Sequence, residues 1–244
     1  YVAPWQSYYD PELGPVFKKV NGTDGQVWSL NPAGGELVMG HHEGSFLLSA
    51  SNSRILSSEP GAWTFVTMSD EYMLGGTYTG LVLYRKEKGQ WVFDRKLDGL
   101  KESCRIMVKD EDQSIWISHP YRGVYNVRWN AGNKDKIDIR FFNQENGLPT
   151  NLNNYVFQIA GKAVFATEKG VFHFDRSKDT FVPDDDFNRL LDKQHRVRYL
   201  REDTKGNVWY VTDHEAGMLI VNDFGLKKEV RKKVIPELAG KLVG

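Results

Sequence analysis

The sequence predicts an all-β chain, a β-propeller of four-stranded antiparallel blades, and three observations lead there. A single phrase occurs five times: a short apolar strand, a polar turn closed by glycine, then a second apolar strand, at residues 37–46, 73–82, 115–125, 164–172 and 208–218. Its closing glycines, Gly44, Gly80, Gly123, Gly170 and Gly217, are separated by 36, 43, 47 and 47 residues, and a period of that length belongs to propeller blades. The residues flanking each turn are aromatic and β-branched, the side chains that suit a pleated surface packed against another sheet.

The recurring glycine has a physical reason. A tight connection between paired strands asks for positive φ, which glycine adopts without the clash a Cβ would make. Each phrase is therefore the middle of a blade, and the flanking runs supply its inner and outer strands. The first blade takes residues 26–30, 36–40, 44–48 and 54–57; the second opens at 63–68 and ends at 90–93. The third runs from 105–108 to 137–142 and the fourth from 155–159 to 180–182, while the fifth opens at 196–200 with an outer strand that the pattern does not reveal. The expected boundaries are 25–62, 63–100, 101–150, 151–194 and 195–225. Residues 1–24 then form a partial preceding blade, whose last strand is 16–20, and residues 226–244 start another repeat or a tail. Helix is expected only at 187–193 and 227–235, and the Asp184–Asp185–Asp186 run reads as a loop.

Bulk composition narrows the class. A chain of 244 residues with 40% hydrophobic content can bury a large core, and no run approaches the roughly 18 apolar residues of a membrane helix. Lys plus Arg equals Asp plus Glu at 32 each, so no overall field recruits nucleic acid or anionic lipid. Cys104 is the sole cysteine, which excludes an internal disulfide and leaves the redox compartment open. The chain starts at Tyr1 with no leader and reads as a piece of a longer protein. Five repeats are compatible with a five-bladed ring or with part of a larger propeller.

Two segments carry a family resemblance. Asp203-Thr204-Lys205-Gly206-Asn207-Val208-Trp209, and Asn146-Gly147-Leu148-Pro149-Thr150-Asn151 followed by residues 164–172, resemble the two-component regulator propeller repeat. Its pattern is an N-G-L-P-S-N lead, then D-G-N-L-W-I-G-T, then G-L-Y-R-F-D. The resemblance covers residues 25–222 and is strongest in the third to fifth repeats. It implies the extracytoplasmic sensor region of a Bacteroidetes-type membrane regulator, either a hybrid histidine kinase or a regulator with a LuxR-type helix-turn-helix. The blocks at 61–65, 76–81, 118–125 and 236–243 look more like the helix-turn-helix branch. On that resemblance the protein is periplasmic and homodimeric, and membrane contact comes only through downstream segments.

Local catalytic motifs are missing: there is no G-x-S-x-G, phosphate-binding loop, H-E-x-x-H or Cys-x-x-Cys. Candidate residues come instead from the turns. His41, His42, His119 and His214 precede the repeat glycines, but metal binding needs several ligands to converge, so they read as solvated turn residues and no metal or cofactor is expected. The position two before the glycine holds His42, Tyr78, Tyr121, Glu168 and Glu215, with Arg122 beside Tyr121. Aromatic faces with charged hydrogen-bonding groups suit a sugar or small polar ligand. Trp28, Trp116 and Trp209 lie within strands and are expected in the core. The basic run around Lys227–Lys233 reads as solvated.

The resulting expectation is a non-catalytic sensor of a small polar ligand or oligosaccharide, with no nucleic acid bound by this segment. Two alternatives stand beside it. One is an extracytoplasmic polysaccharide-acting enzyme using His41, His42, His119 or His214 as acid or base; the other is a protein-interaction scaffold.

Overall fold

The computed structural model describes residues 9–10, 14–15, 19–119, 121–191, 195–223 and 228–236. The chain divides into two compact units, Tyr1–Arg105 and Ile106–Gly244. Both are built from four-stranded antiparallel sheets whose strands follow chain order, the arrangement of propeller blades.

In the first unit, a short ladder pairs β1 (Tyr9–Asp10) with β2 (Gly14–Pro15). The expected strand at 16–20 falls largely outside the described residues. The first blade is β3 (Val27–Ala33), β4 (Glu36–His41), β5 (Gly44–Leu48) and β6 (Ser53–Ser57). The second is β7 (Thr64–Thr67), β8 (Tyr72–Thr77), β9 (Gly80–Glu87) and β10 (Gln90–Leu97). Their facing sides bury Ala33, Val38, Leu56, Met73, Val82, Tyr84 and Trp91. The Trp91 indole N–H donates to the Ala33 carbonyl at 3.0 Å, so a bulky core residue also satisfies its polar atom. Cys104 is buried, and burial pushes its thiol up to about 12, so it is inert in the folded chain.

The second unit holds three blades. The third is β11 (Ile106–Lys109), β12 (Ile115–His119), β13 (Gly123–Asn130) and β14 (Asn133–Phe142). The fourth is β15 (Tyr155–Ile159), β16 (Lys162–Thr167), β17 (Gly170–Asp175) and β18 (Thr180–Pro183), followed by helix α1 (Asp185–Leu191). The fifth is β19 (Val197–Glu202), β20 (Val208–Thr212), β21 (Ala216–Asp223) and β22 (Lys228–Val234). Trp116 anchors the third-to-fourth interface, 1% exposed among Phe142, Phe165, Phe174 and Phe181.

Four sequence expectations change. The helix expected at 227–235 is the strand β22, which pairs with β21 from Asp223↔Lys228 to Gly217↔Val234 and carries the fifth blade past its expected end at 225. Val230 and Val234 fit a helical stripe as well as a strand, and the seven-rung ladder on the otherwise unpaired edge of β21 decides the matter. The Asp184–Asp186 run is a helix start: the Asp184 carboxylate accepts from the Phe187 amide at 3.1 Å, an N-cap. Trp209 is not core but 40% exposed. It repeats the position of Trp116 in the pattern, yet on the face of the fifth blade, where no further sheet of this unit packs among the described residues. Trp28 is only partly buried.

The fourth change concerns the repeat glycine. Gly123 has φ +98°, and a methyl there would lie 2.3 Å from the Phe142 carbonyl oxygen, so the position needs both left-handed backbone and close approach. In the fifth copy the residue at this position is Glu215. The Thr212 amide donates to the Glu215 carbonyl, and Val211 pairs with Ala216, so Asp213 and His214 form the turn. Gly217 lies two residues into β21, where a methyl would meet the Lys233 carbonyl at 2.3 Å and the Tyr210 hydroxyl at 2.6 Å.

Candidate functional site

The five turns share a brace that sorts the histidines. The last strand residue before each turn is His41, Thr77, His119, Thr167 or Thr212. Each accepts from a backbone N–H two residues on: His41 Nδ1 from Glu43 at 3.1 Å, Thr77 Oγ1 from Thr79 at 3.3 Å, His119 Nδ1 from Tyr121 at 3.2 Å, Thr167 Oγ1 from Lys169 at 3.1 Å and Thr212 Oγ1 from His214 at 3.2 Å. Histidine and threonine are interchangeable here because each places an acceptor over the turn. His41 is 2% exposed and the half-buried His119 spends its Nδ1 lone pair the same way, so both hold turns.

In the first unit the neighbouring turn residues converge. His42 Nδ1 and the Tyr78 hydroxyl are 2.9 Å apart. The Tyr78 ring lies against Trp63, centroids 5.6 Å apart, and Trp63 stacks on Trp28 at 4.1 Å with 30° between planes. Arg105 lies over the other partner of this cluster, its guanidinium carbon 4.5 Å from the Trp63 ring centroid. Backbone register explains the line. Trp28 is the bulge residue at the start of β3, and Trp63 and Arg105 immediately precede β7 and β11, so all three occupy the start of an inner strand. Gly61, with φ +73°, lets Tyr78 lie on the chain; a methyl there would sit 2.2 Å from the ring. The indole nitrogens of Trp28 and Trp63 are buried and meet no hydrogen-bond partner among the described residues.

The remaining candidates lie in the second unit and are not gathered into one cluster. Tyr121 is 73% exposed beside His119, ring centroids 6.2 Å apart, and Arg122 occupies the same turn. Glu168 accepts from the Asn153 side-chain amide at 2.8 Å. His214 packs against His195 at 4.3 Å. Glu215 faces the Tyr210 hydroxyl at 3.1 Å and pairs with Lys232, so it braces the sheet instead of crowning the turn.

Two clefts complete this unit. A groove of about 650 Å³ runs between α1 and the fifth blade, with Ile159, Phe187, Leu190, Val208 and Val230 in its walls. A smaller cleft of about 170 Å³ is lined by Asp112, Arg128, Arg140, Arg176 and Asp179, where the guanidiniums are already matched. Arg140 grips Asp179 through two bonds of 2.9 and 2.7 Å, Arg176 reaches Asp110 at 2.6 Å and Asp112 at 3.0 Å, and Arg128 pairs with Asp112. Burial works to raise the Asp112 carboxyl, but hydrogen bonds from Ser114 and Arg176 outweigh it and bring it down to about 2. This network ties the third blade to the fourth.

His42 and Tyr78, candidates in the sequence, lie in this cluster, whereas Trp63 and Arg105 were not among the candidates and Trp28 was expected in the core. The signal that links these three residues is the register, since each stands at the start of an inner strand.

No protein-family model matches this chain, and no curated protein matches it. Solved structures do. The extracellular domain of the hybrid two-component system BT3049 from B. thetaiotaomicron matches 91% of this chain and 30% of its own, at 17% identity and TM-score 0.61. That of the one-component system BT4673 from the same organism matches 88% and 29%, also at 17% and 0.61. Virginiamycin B lyase from Staphylococcus aureus matches 89% and 72%, at 11% identity and TM-score 0.57. The chain spans under a third of the length of the two extracellular domains. At these identities the likeness establishes the fold: the chain is built of β-propeller blades like those in extracellular domains of bacterial regulators and in a lyase.

Proposed function

We propose that this chain is the ligand-sensing propeller region of a bacterial membrane regulator, non-catalytic itself, extracytoplasmic, and homodimeric in the whole protein. The observation that carries the reading is the line Trp28, Trp63, Tyr78 and His42 capped by Arg105. Stacked aromatic faces beside hydrogen-bonding groups suit a sugar ring or another small polar ligand, whose C–H faces pack on the rings while its hydroxyls meet the polar edge. The extracellular domains of two-component and one-component systems among the similar folds support a sensing role. No helix among the described residues is long and apolar enough to cross a membrane, so a signal reaches the cell through other parts of the whole protein. A ligand switches such a protein only if it binds two arrangements with different affinity.

The test is a titration of oligosaccharides followed by tryptophan fluorescence and calorimetry. A binding saccharide should perturb the emission, and Trp63→Ala should weaken binding by about tenfold or more, because Trp63 is the ring against which Trp28, Tyr78 and Arg105 are all held. Unchanged affinity in both Trp63→Ala and Tyr78→Ala would remove the site from consideration.

A further inference from the structure

We infer that the groove between α1 and the fifth blade is a second binding site, independent of the aromatic cluster, and that it takes an uncharged small molecule carrying an apolar ring. The chain itself supplies the comparison. The turn braces His119, Thr167 and Thr212 align the three blades of this unit, so residues at equal distance from them are equivalent. Three residues before the brace the third blade has Trp116, where the fourth has Val164. Two before it, Phe165 of the fourth blade answers to Tyr210 of the fifth. Across the ladders, Phe172 then answers to Gly217, Phe174 to Leu219 and Phe181 to Lys232. Rings therefore fill the interface of the third and fourth blades. The interface of the fourth and fifth has valine, glycine and leucine in their places, and Lys232 is engaged by Glu215.

Protein interiors are close-packed, yet here the missing ring volume is not made up. Helix α1 brings Phe187 and Leu190 to the gap, and about 650 Å³ remains open, a volume within the range of small-molecule sites. Ile159, Val208 and Leu219 belong at once to the groove wall and to the buried core of these two blades, so the groove continues an interface and is no mere surface furrow. Water in such a space finds apolar walls, and an apolar ring that displaces it gains by burial. The charges at the rim decide the class. Asp186, Arg189, Glu202 and Lys205 sum to zero; Arg189 pairs with Asp186 at 3.1 Å, and Glu202 accepts from the Ala160 amide at 2.8 Å. Lys205 is exposed in the turn that follows Glu202. A rim of balanced charge over apolar walls matches an occupant without net charge.

The experiment titrates the full chain with N-phenylnaphthylamine, an uncharged ring probe whose emission rises out of water, and with anilinonaphthalene sulfonate as its anionic counterpart. Two variants fill the groove. Val230→Trp does so from a position 38% exposed, and Leu219→Phe restores the ring that the fourth blade has in Phe174. Leu30→Ser, 56% exposed on the first blade, is the control for apolar surface elsewhere. The expected result is saturable binding of the uncharged probe, weakened at least about tenfold by each filling variant and unchanged by salt, by Leu30→Ser and by Trp63→Ala. The sulfonate should bind no more tightly. A thermal melt of Val230→Trp that matches the parent ties its loss of binding to the groove, whatever Leu219→Phe does to folding. Undiminished binding in Val230→Trp, or a loss in Leu30→Ser alone, would overturn the site. So would the absence of saturable binding to the parent chain. Sulfonate binding about tenfold tighter than the uncharged probe, with salt and Lys205→Gln erasing the difference, would overturn the uncharged class.

Discussion

Replacing Asp110 by alanine should destabilise the second unit far more than an acidic surface residue would suggest. The carboxylate is 6% exposed and serves four donors. Its Oδ2 accepts from the Trp116 indole at 3.0 Å and from Arg176 at 2.6 Å; its Oδ1 accepts from the Glu111 amide at 2.9 Å and the Ala163 amide at 3.0 Å. Removal leaves Arg176 its bond to Asp112 and Glu111 a turn near water. The Trp116 and Ala163 donors stay buried, and each such orphan costs about 1–3 kcal/mol. The sum is about 2–6 kcal/mol, and the packing that fixes Trp116 among four phenylalanines places the expectation near 3–4 kcal/mol. Against a domain stability of about 5–15 kcal/mol that is a large share. Urea unfolding followed by near-ultraviolet circular dichroism should show the midpoint falling by about 1–2 M. Asp110→Asn should cost nearly as much, since its amide NH2 faces donors. Arg176→Ala should cost under about 1 kcal/mol, as a half-exposed, screened pair. A loss below about 1 kcal/mol for Asp110→Ala would show that the orphaned donors find water, and would refute the argument.

Two further outcomes follow from the same structure. Gly170→Ala should cost at least about 2 kcal/mol: φ is +94°, and the methyl would lie 2.3 Å from Asn188 Oδ1, which accepts from the Val171 amide at 2.8 Å. Gly89→Ala, with φ +83° and nothing within 4 Å, should cost about 1 kcal/mol in the same melt, for backbone strain alone; equal losses would remove Asn188 from the explanation. Asp112 titrates in the folded chain at about 2, below its ordinary 3.8. Its contribution is therefore complete above about pH 5 and is lost as pH falls through 2. Asp112→Asn should flatten the stability profile between pH 4 and 2, most clearly at low salt, and an unchanged acid limb would contradict this.

Legibility in the sequence differed from residue to residue. The first four repeat glycines were readable because positive φ and an oxygen close by, a backbone carbonyl at Gly44, Gly80 and Gly123 and the Asn188 side-chain amide at Gly170, leave no room for a Cβ at a fixed phase of the repeat. The fifth was misread: Gly217 is also a glycine, but it answers to Tyr210 and Lys233 on neighbouring strands, which no local pattern announces. Asp110 and Trp116, like Asp203 and Trp209, repeat at a spacing of six; the spacing predicts the turn but not that one indole is sealed and the other exposed. His41 and His119 read in the sequence as solvated turn residues, and their equivalence with Thr77, Thr167 and Thr212 shows what they do there, which is to brace the turn.

By itself the sequence determined the blade, its period and the turns that crown it, because those follow from side-chain alternation and backbone strain within about ten residues. The tertiary structure decided what depends on partners distant along the chain. It made 228–234 a strand by offering the open edge of β21, buried Trp116 while leaving Trp209 at the surface, and brought Trp28, Trp63 and Arg105 into one line. Burial, stacking and ion pairing are energies of proximity, and the proximity of residues such as Trp28, Trp63 and Arg105 exists only once the sheets have formed.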